Sequence, residues 1–236
     1  MTKRRIVVTG GTAGIGFAIA KRLLLDGHSV FICGHDAERL QAAIASLAAA
    51  APDRVHGKLC DVRRLQDVQD MIAAARSALG GVDGLINNAG VAFIEDFESV
   101  TPEQWSEIID TNLTGVFNCC HAALPALKEA ALQGPSDIIN VGSRSGRYSF
   151  KGGTGYNTTK FGLQGFTEAL FLDLSRIGIR VGLIAPGTVA TGLGGTSPQD
   201  WHLRPDHIAH AISAMLDAEA NACMNWIEIR PSRPPA

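Results

Sequence analysis

The sequence predicts an α/β fold in which a seven-stranded parallel sheet is doubly wound, with helices on both faces. Three observations predict it. Short β-branched runs alternate with longer helical patterns along the whole chain, the signature of βαβ crossovers. The strands are apolar almost throughout, as in Val30-Phe31-Ile32, which fits burial on both faces of a sheet. A glycine-rich turn joins the first strand directly to the first helix.

The elements follow in order. Arg5 to Val8 reads as a strand, and Ile15 to Leu25 as a helix closed by Gly27. Ser29 to Cys33 is the second strand; alanine-rich Ala37 to Ala51 is a helix that stops at Pro52. Val55 to Cys60 is a strand, Leu65 to Leu79 a helix and Val82 to Asn87 the fourth strand. Pro102 to Ala131 is one long helical stretch, started by Thr101-Pro102. Ile138 to Val141 is the fifth strand, Gly155 to Ser175 a helix, Ile179 to Ala185 the sixth strand and Trp226 to Ile229 the seventh. No linker or repeat interrupts this order, so residues 1–236 read as one domain.

Composition narrows the function. The net charge of −2 offers nothing to nucleic acid. Lys3-Arg4-Arg5 reads as a solvated N-terminus. The five cysteines, Cys33, Cys60, Cys119, Cys120 and Cys223, have no Cys-x-x-Cys spacing, which suits reduced fillers in a cytoplasmic protein. No signal segment or membrane span is expected. His202, His207 and His210 lack acidic partners at ligand spacing, so no metal is expected. Cys119-Cys120 beside His121 reads as packing, because successive helix residues point different ways.

The turn after the first strand is Thr9-Gly10-Gly11-Thr12-Ala13-Gly14-Ile15-Gly16. Its glycines permit a tight turn and a close backbone approach, and the helix that follows offers free N–H groups to a pyrophosphate. The whole therefore reads as a Rossmann-type nucleotide-binding domain.

The glycine spacing resembles that of the short-chain dehydrogenase/reductase family, and further matches follow in the family's order. Asp61 follows the third strand, Asn87-Asn88-Ala89-Gly90 ends the fourth, and Asn112 lies in the long helix. Ser143, Tyr156 and Lys160 resemble the Ser and Tyr-x-x-x-Lys set, and Pro186-Gly187 with Thr188 and Thr191 resembles the nicotinamide-side loop. The layout is similar to that of 3-oxoacyl reductases. The resemblance implies a cofactor site built from Gly10, Thr12, Gly14, Ile15, Gly16, His35, Asp61, Val62, Asn88, Ala89, Gly90, Tyr156, Lys160, Pro186, Gly187, Thr188, Val189 and Thr191. It also implies that Lys160 binds the nicotinamide ribose and that Asn112 holds a relay water. Homodimers or homotetramers are expected on the same ground.

The residue chemistry fits that expectation. Reduction of a carbonyl by hydride needs a proton donor. Tyrosine, with an ordinary pKa near about 10, is tuned when a lysine ammonium favours its phenolate. Tyr156 and Lys160 share a helix face at i and i+4. Ser143 closes a strand at the carboxyl end, where such sheets bind ligands, and its hydroxyl can polarise the substrate oxygen. The expected catalytic set is Asn112, Ser143, Tyr156 and Lys160.

NAD-binding relatives place an acid at the end of the second strand, to hold the ribose 2′-OH. Here that position is Gly34, followed by His35. NADP(H) is therefore favoured over NAD(H), although Ala13 is not basic and Asp36 is close enough to turn toward a 2′-OH.

Arg144, Arg147 and Lys151 follow Ser143 and read either as a site for an anionic substrate group or as a solvated loop. Arg144, Ser145 and Trp201 are the substrate candidates, and residues 188–205 a short lid. The helix after Tyr156 carries Phe161, Leu163, Phe166, Leu170, Phe171 and Leu174, more apolar surface than one stripe needs, so part of it reads as a subunit interface. The C-terminal Trp226 to Pro231 replaces the family's more usual glycine pair. The expected activity is interconversion of a carbonyl and a secondary alcohol, with NADPH-dependent ketone reduction preferred. The alternatives are an NAD-dependent alcohol dehydrogenase working in the oxidising direction and a non-catalytic nucleotide sensor.

Overall fold

Along β1 the side chains alternate strictly: Ile6 and Val8 bury on one face, Val7 on the other. Each face has its own helices, which makes the sheet the middle of three layers. A computed structural model describes residues 3–49, 51–195 and 197–233. The strands are β1 (Arg5–Val8), β2 (Ser29–Gly34), β3 (Val55–Leu59), β4 (Gly84–Asn87), β5 (Ser136–Val141), β6 (Ile179–Pro186) and β7 (Trp226–Ile229). They form one seven-stranded sheet in the order β3-β2-β1-β4-β5-β6-β7, and every pair is parallel. The predicted doubly wound sheet is observed.

The helices are α1 (Gly14–Leu25), α2 (Ala37–Ala48), α3 (Leu65–Leu79), α4 (Pro102–Ile109), α5 (Gly115–Ala131), α6 (Thr154–Leu174) and α7 (Pro205–Leu216). Ile19 and Leu23 of α1, Leu40 of α2 and Ile208 and Ile212 of α7 pack on one face. Met71 of α3, Leu127 of α5 and Leu163 of α6 pack on the other. Each such fully buried side chain contributes about 1.5–3 kcal/mol by leaving water.

Three expectations need correction. The long helix is interrupted by a π turn at Asp110–Thr114, and Asn112 sits in that turn. The second helix stops at Ala48, short of Ala51, and a tight turn at Pro52–Arg54 follows; Ala50 of the expected helix lies outside the described residues. The N-terminal basic run is fully solvated only at Lys3, which is exposed. Arg4 is 7% exposed and pairs with the buried Asp137 at 2.5 Å, while Arg5 pairs with Asp83. Asp137, the second residue of β5, also holds Arg180 at 2.8 Å, so the parallel strands bring opposite charges together near their N-terminal ends.

A polar chain crosses the second core. Asn87 Nδ2 donates to Asn140 Oδ1 at 2.8 Å, and Asn140 Nδ2 donates to Thr167 Oγ1 at 2.9 Å. It ties β4 to β5 and β5 to α6, and so fixes the helix that carries Tyr156.

Candidate active site

The strand order reverses at β1, which has β2 on one side and β4 on the other. A crevice opens beyond the carboxyl ends at such a switch point. Thr9 and Asn88 build it. Thr9 Oγ1 accepts from the main-chain N–H of Asn88 and of Ala89, each at 3.0 Å. Asn88 Nδ2 donates to the carbonyls of Thr9 and Gly10 at 3.0 and 3.1 Å. The turn after β1 is thereby latched to the loop after β4. Gly10 has φ +62°, and a Cβ there would lie 2.9 Å from the Ala89 Cα. At Gly16 a Cβ would lie 2.2 Å from the Gly10 carbonyl oxygen. Only glycine fits either place.

The N-terminus of α1 is open for an anion. Its N-cap residue is Ala13, which gives no side-chain cap, so the first N–H groups of Gly14, Ile15 and Gly16 remain for a ligand. This cradle fits a dinucleotide pyrophosphate. Thr191 closes over it, 3.3 Å from where a Gly14 Cβ would stand. The loop after β6 is anchored by Gly187 N–H to the Ile229 carbonyl at 2.7 Å. Val189 bridges to Leu203, and Leu203 N–H donates to the Thr188 carbonyl at 2.9 Å. Both legs of the predicted lid 188–205 are thus joined at its base; Thr196, inside it, lies outside the described residues.

At the end of the crevice near β2, Gly34 stands against Thr12, whose Cγ2 lies 2.7 Å from where a Cβ would be. His35 is exposed. Asp36 is committed elsewhere: it caps α2, accepting from Arg39 N at 3.0 Å. Asp61 is gripped by the Arg63 guanidinium at 2.6 Å, which holds its carboxylate below the usual range. Val62 is buried, and its carbonyl accepts from Asn118 Nδ2 at 3.0 Å. Gly90 lies beside the Asn112 carboxamide.

Ser143, at the end of β5, meets Tyr156 in the first turns of α6. Burial raises the Tyr156 hydroxyl above its ordinary value, and a hydrogen bond with the Ser143 side chain pulls it back. Lys160 Nζ lies 5.6 Å from the Tyr156 ring centre and donates to the Val141 carbonyl at 3.0 Å. Burial pushes its ammonium down to about 8. Burial acts on both groups and disfavours either charge.

Asn112 is 2% exposed and acts as a brace. Its Oδ1 accepts from Val91 N at 2.9 Å; its Nδ2 donates to the Val91 carbonyl at 2.9 Å and to Thr159 Oγ1 at 3.1 Å. Both of its side-chain N–H bonds are spent on holding the loop after β4 against α6.

Comparison with known proteins places this geometry. The profile of the family described as short chain dehydrogenase matches residues 4–201. The chain belongs to the short-chain dehydrogenase/reductase family. A 3alpha-hydroxysteroid dehydrogenase of Mediterraneibacter gnavus is 36% identical over 201 residues, covering 84% of this chain and 79% of that protein. An alcohol dehydrogenase from the archaeon Thermococcus sibiricus, solved with 5-hydroxy-NADP, superposes with TM-score 0.90 at 25% identity and full coverage of both chains. A 3-ketoacyl-(acyl-carrier-protein) reductase of Brucella melitensis, solved with NADH, gives 0.89 at 27% identity, with 97% of each chain covered. The protein is an oxidoreductase of this family, similar to dehydrogenases and reductases that act on hydroxyl and carbonyl groups.

Within this short-chain dehydrogenase/reductase the cations after Ser143 do not converge. Arg144 lies over the Tyr148 ring at 4.7 Å, Arg147 over the Trp226 ring at 4.0 Å, and Lys151 pairs with Asp96 at 3.3 Å. The three cations thus have separate partners and are not gathered at one point. Ser145 N–H donates to Ser143 Oγ at 3.1 Å. Trp201 is half-buried and meets the His202 ring edge-on at 4.3 Å. Cys119 and Cys120 are buried, with Cys120 pushed up to about 12, so both are packing residues. No helix among the described residues is long and apolar enough to cross a membrane.

The sequence reading missed Asn157 and Thr159, which flank the catalytic positions. Thr159 Oγ1 donates to the Tyr156 carbonyl at 2.9 Å. The available signal was two polar residues inside a helix at buried positions.

Proposed function

We propose that this protein is an NADPH-dependent ketone reductase in which Tyr156 is the general acid. The observation that carries the reading is Lys160 Nζ, which lies 5.6 Å from the Tyr156 ring centre and donates to the Val141 carbonyl two residues before Ser143. A bound nicotinamide supplies the hydride. Ser143 orients the substrate oxygen by a hydrogen bond. Tyr156 then gives its O–H proton to that oxygen as the new C–H bond forms. A tyrosine hydroxyl is protonated at neutral pH, the form a donor needs; burial alone makes it a weaker acid, and the positive charge of Lys160 offsets that when the phenolate forms. Lys160 contributes its ammonium to the ribose and to the phenolate left behind. Asn112 Oδ1 retains a lone pair for a water that returns the proton from solvent.

The preference for NADPH rests on Gly34. No carboxylate stands there to repel a 2′-phosphate, and Asp36 is held as a helix cap. His35 and Arg39 are exposed beside it. Arg144, Ser145 and Trp201 border the substrate, and residues 188–205 close over it from their joined base. The exposed Phe161 and Leu172 of α6 (46% and 72%) form part of a contact with a second copy, in a homodimer or homotetramer. The free cysteines fit a cytoplasmic protein.

The test is Tyr156→Phe in a carbonyl panel followed by NADPH absorbance. Turnover is expected to fall by about 10²–10⁴, with nucleotide affinity kept. Near-wild-type turnover removes the general acid from the scheme. A tenfold preference for NADH reverses the cofactor assignment.

A further inference from the structure

We propose that Asn157 is the positioning residue that sets Ser143 opposite Tyr156, by tying the loop between them to the first turns of α6. The proposal rests on the catalytic reading above. The loop has little structure of its own: one tight turn at Arg144–Gly146, then largely exposed residues up to Lys151. Ser143 nevertheless has to keep one distance from a tyrosine on the far side of that loop.

Asn157 supplies the tie. It is 7% exposed, and its carboxamide faces back over the loop. Nδ2 donates to the Ser145 carbonyl at 2.7 Å and to the Tyr148 carbonyl at 3.2 Å. Oδ1 accepts from Phe150 N at 3.4 Å. The main-chain N–H of Asn157 donates to the Gly153 carbonyl at 2.6 Å. One side chain thus serves three backbone groups of the loop, and each of its N–H bonds is used.

The lever arm is short at both ends. Ser145, whose carbonyl is held, gives its own N–H to Ser143 Oγ at 3.1 Å. Asn157 is the residue after Tyr156, so a shift of its Cα moves the tyrosine as well. Gly146 is pressed onto the same helix: a Cβ there would lie 2.8 Å from the Lys160 carbonyl oxygen. Gly153 leaves room for the carboxamide, since a Cβ there would lie 2.3 Å from Asn157 Oδ1. Aspartate has the shape but no donor for the two carbonyls. Serine is too short to span both.

A merely structural residue would lower stability and leave the chemistry proportionate. A positioning residue changes what Tyr156 experiences. The groups facing its hydroxyl and ring are the Ser143 hydroxyl, the Lys160 ammonium and the Phe150 ring, 6.5 Å away between centroids. The chain has only two tyrosines, Tyr148 and Tyr156. In a Tyr148→Phe background, tyrosinate absorbance titrates Tyr156 alone. Adding Asn157→Ala is expected to move that midpoint to higher pH, because the Ser143 hydrogen bond that lowers it is lost. In the otherwise wild-type chain, Asn157→Ala is expected to cut kcat by about tenfold or more, the scale of a misplaced catalytic group, with KM for the nucleotide within about twofold. Asn157→Asp should behave like alanine, and Asn157→Ser should recover part of kcat. An unmoved midpoint with unchanged kcat in a folded variant overturns the proposal. So does a loss in which kcat, nucleotide binding and melting temperature fall together in all three variants. A wild-type protein that turns over no carbonyl defeats the proposed function, while the tyrosinate midpoint still tests Asn157.

Discussion

Lys160 Nζ donates to the main-chain carbonyl of Val141 at 3.0 Å, so the lysine beneath Tyr156 is anchored to the last residue of β5, two residues before Ser143. It makes that bond from a site 8% exposed to solvent. The protein therefore keeps an ammonium where water is scarce, and burial lowers it to about 8. A cost in stability accompanies the placement of this charge.

That cost can be read out with Lys160→Met. The drop from 10.5 to about 8 corresponds to about 3.5 kcal/mol as an upper bound, at about 1.4 kcal/mol per pKa unit. Below pH 8 the lysine is charged in both folded and unfolded chains, and the whole cost is present. Between about 8 and 10.5 the unfolded chain binds more protons, so wild-type stability rises with pH. Lys160→Met is expected to abolish turnover yet raise the urea midpoint near neutral pH, by an amount that shrinks toward pH 10.5. A variant less stable than wild type at pH 7 would mean that the Val141 hydrogen bond outweighs the buried charge.

Gly34→Asp tests the cofactor assignment from the opposite direction. A carboxylate at the end of β2 would repel a 2′-phosphate and accept from a 2′-OH. The new Cβ meets Thr12 Cγ2 at 2.7 Å, so the single variant is expected to lose activity with both nucleotides. Combined with Thr12→Ala, which removes the clashing methyl, it is expected to recover activity with NADH and not with NADPH. Equal recovery with both would show that position 34 does not read the phosphate.

Asp137→Asn addresses the buried charge cluster. Asp137 is 4% exposed and holds both Arg4 and Arg180, themselves 7% and 9% exposed. Removing one partner of a buried pair costs about 3–5 kcal/mol, because the remaining charge is left uncompensated. Here two guanidiniums share the loss. Denaturant unfolding should show a fall in that range with an unchanged slope. A change under about 1 kcal/mol, the scale of an exposed pair, would place the cluster in water.

The contrast between Arg4 and Tyr156 explains what the sequence made legible. Strand order, helix faces and the glycine turn follow from local periodicity and backbone sterics, which a sequence states directly. Tyr156 and Lys160 are readable because a helix sets their spacing. Arg4 is not: its partner Asp137 lies on another strand, and only the parallel register brings them together. Asn157 is similar, since its three bonds reach back across a loop of irregular structure. The charge balance at Tyr156 also depends on burial, a property of the packed interior that spacing does not reveal.

Acid should find the protein through His28. This residue is 2% exposed, and its Nδ1 accepts from Arg4 N at 3.1 Å. Burial, then the Arg4 charge, hold its imidazole below the ordinary value of 6.5. The folded state thus prefers neutral His28, while the unfolded chain takes up a proton as pH falls through 6.5. Its stabilising contribution is whole above that pH and declines below it, by at most about 1.4 kcal/mol per pH unit, until the folded value is passed. Asp26 acts in a separate, more acidic window. Burial raises its carboxyl, but hydrogen bonds from Arg22 and Ser213 outweigh that and hold it below 3.8. Urea midpoints measured from pH 8 down to about 3 are expected to start falling below about pH 6.5. His28→Asn places an uncharged carboxamide opposite the Arg4 N–H and should flatten that decline while leaving the more acidic one in place. A profile that falls equally in both proteins would assign the acid sensitivity to another group.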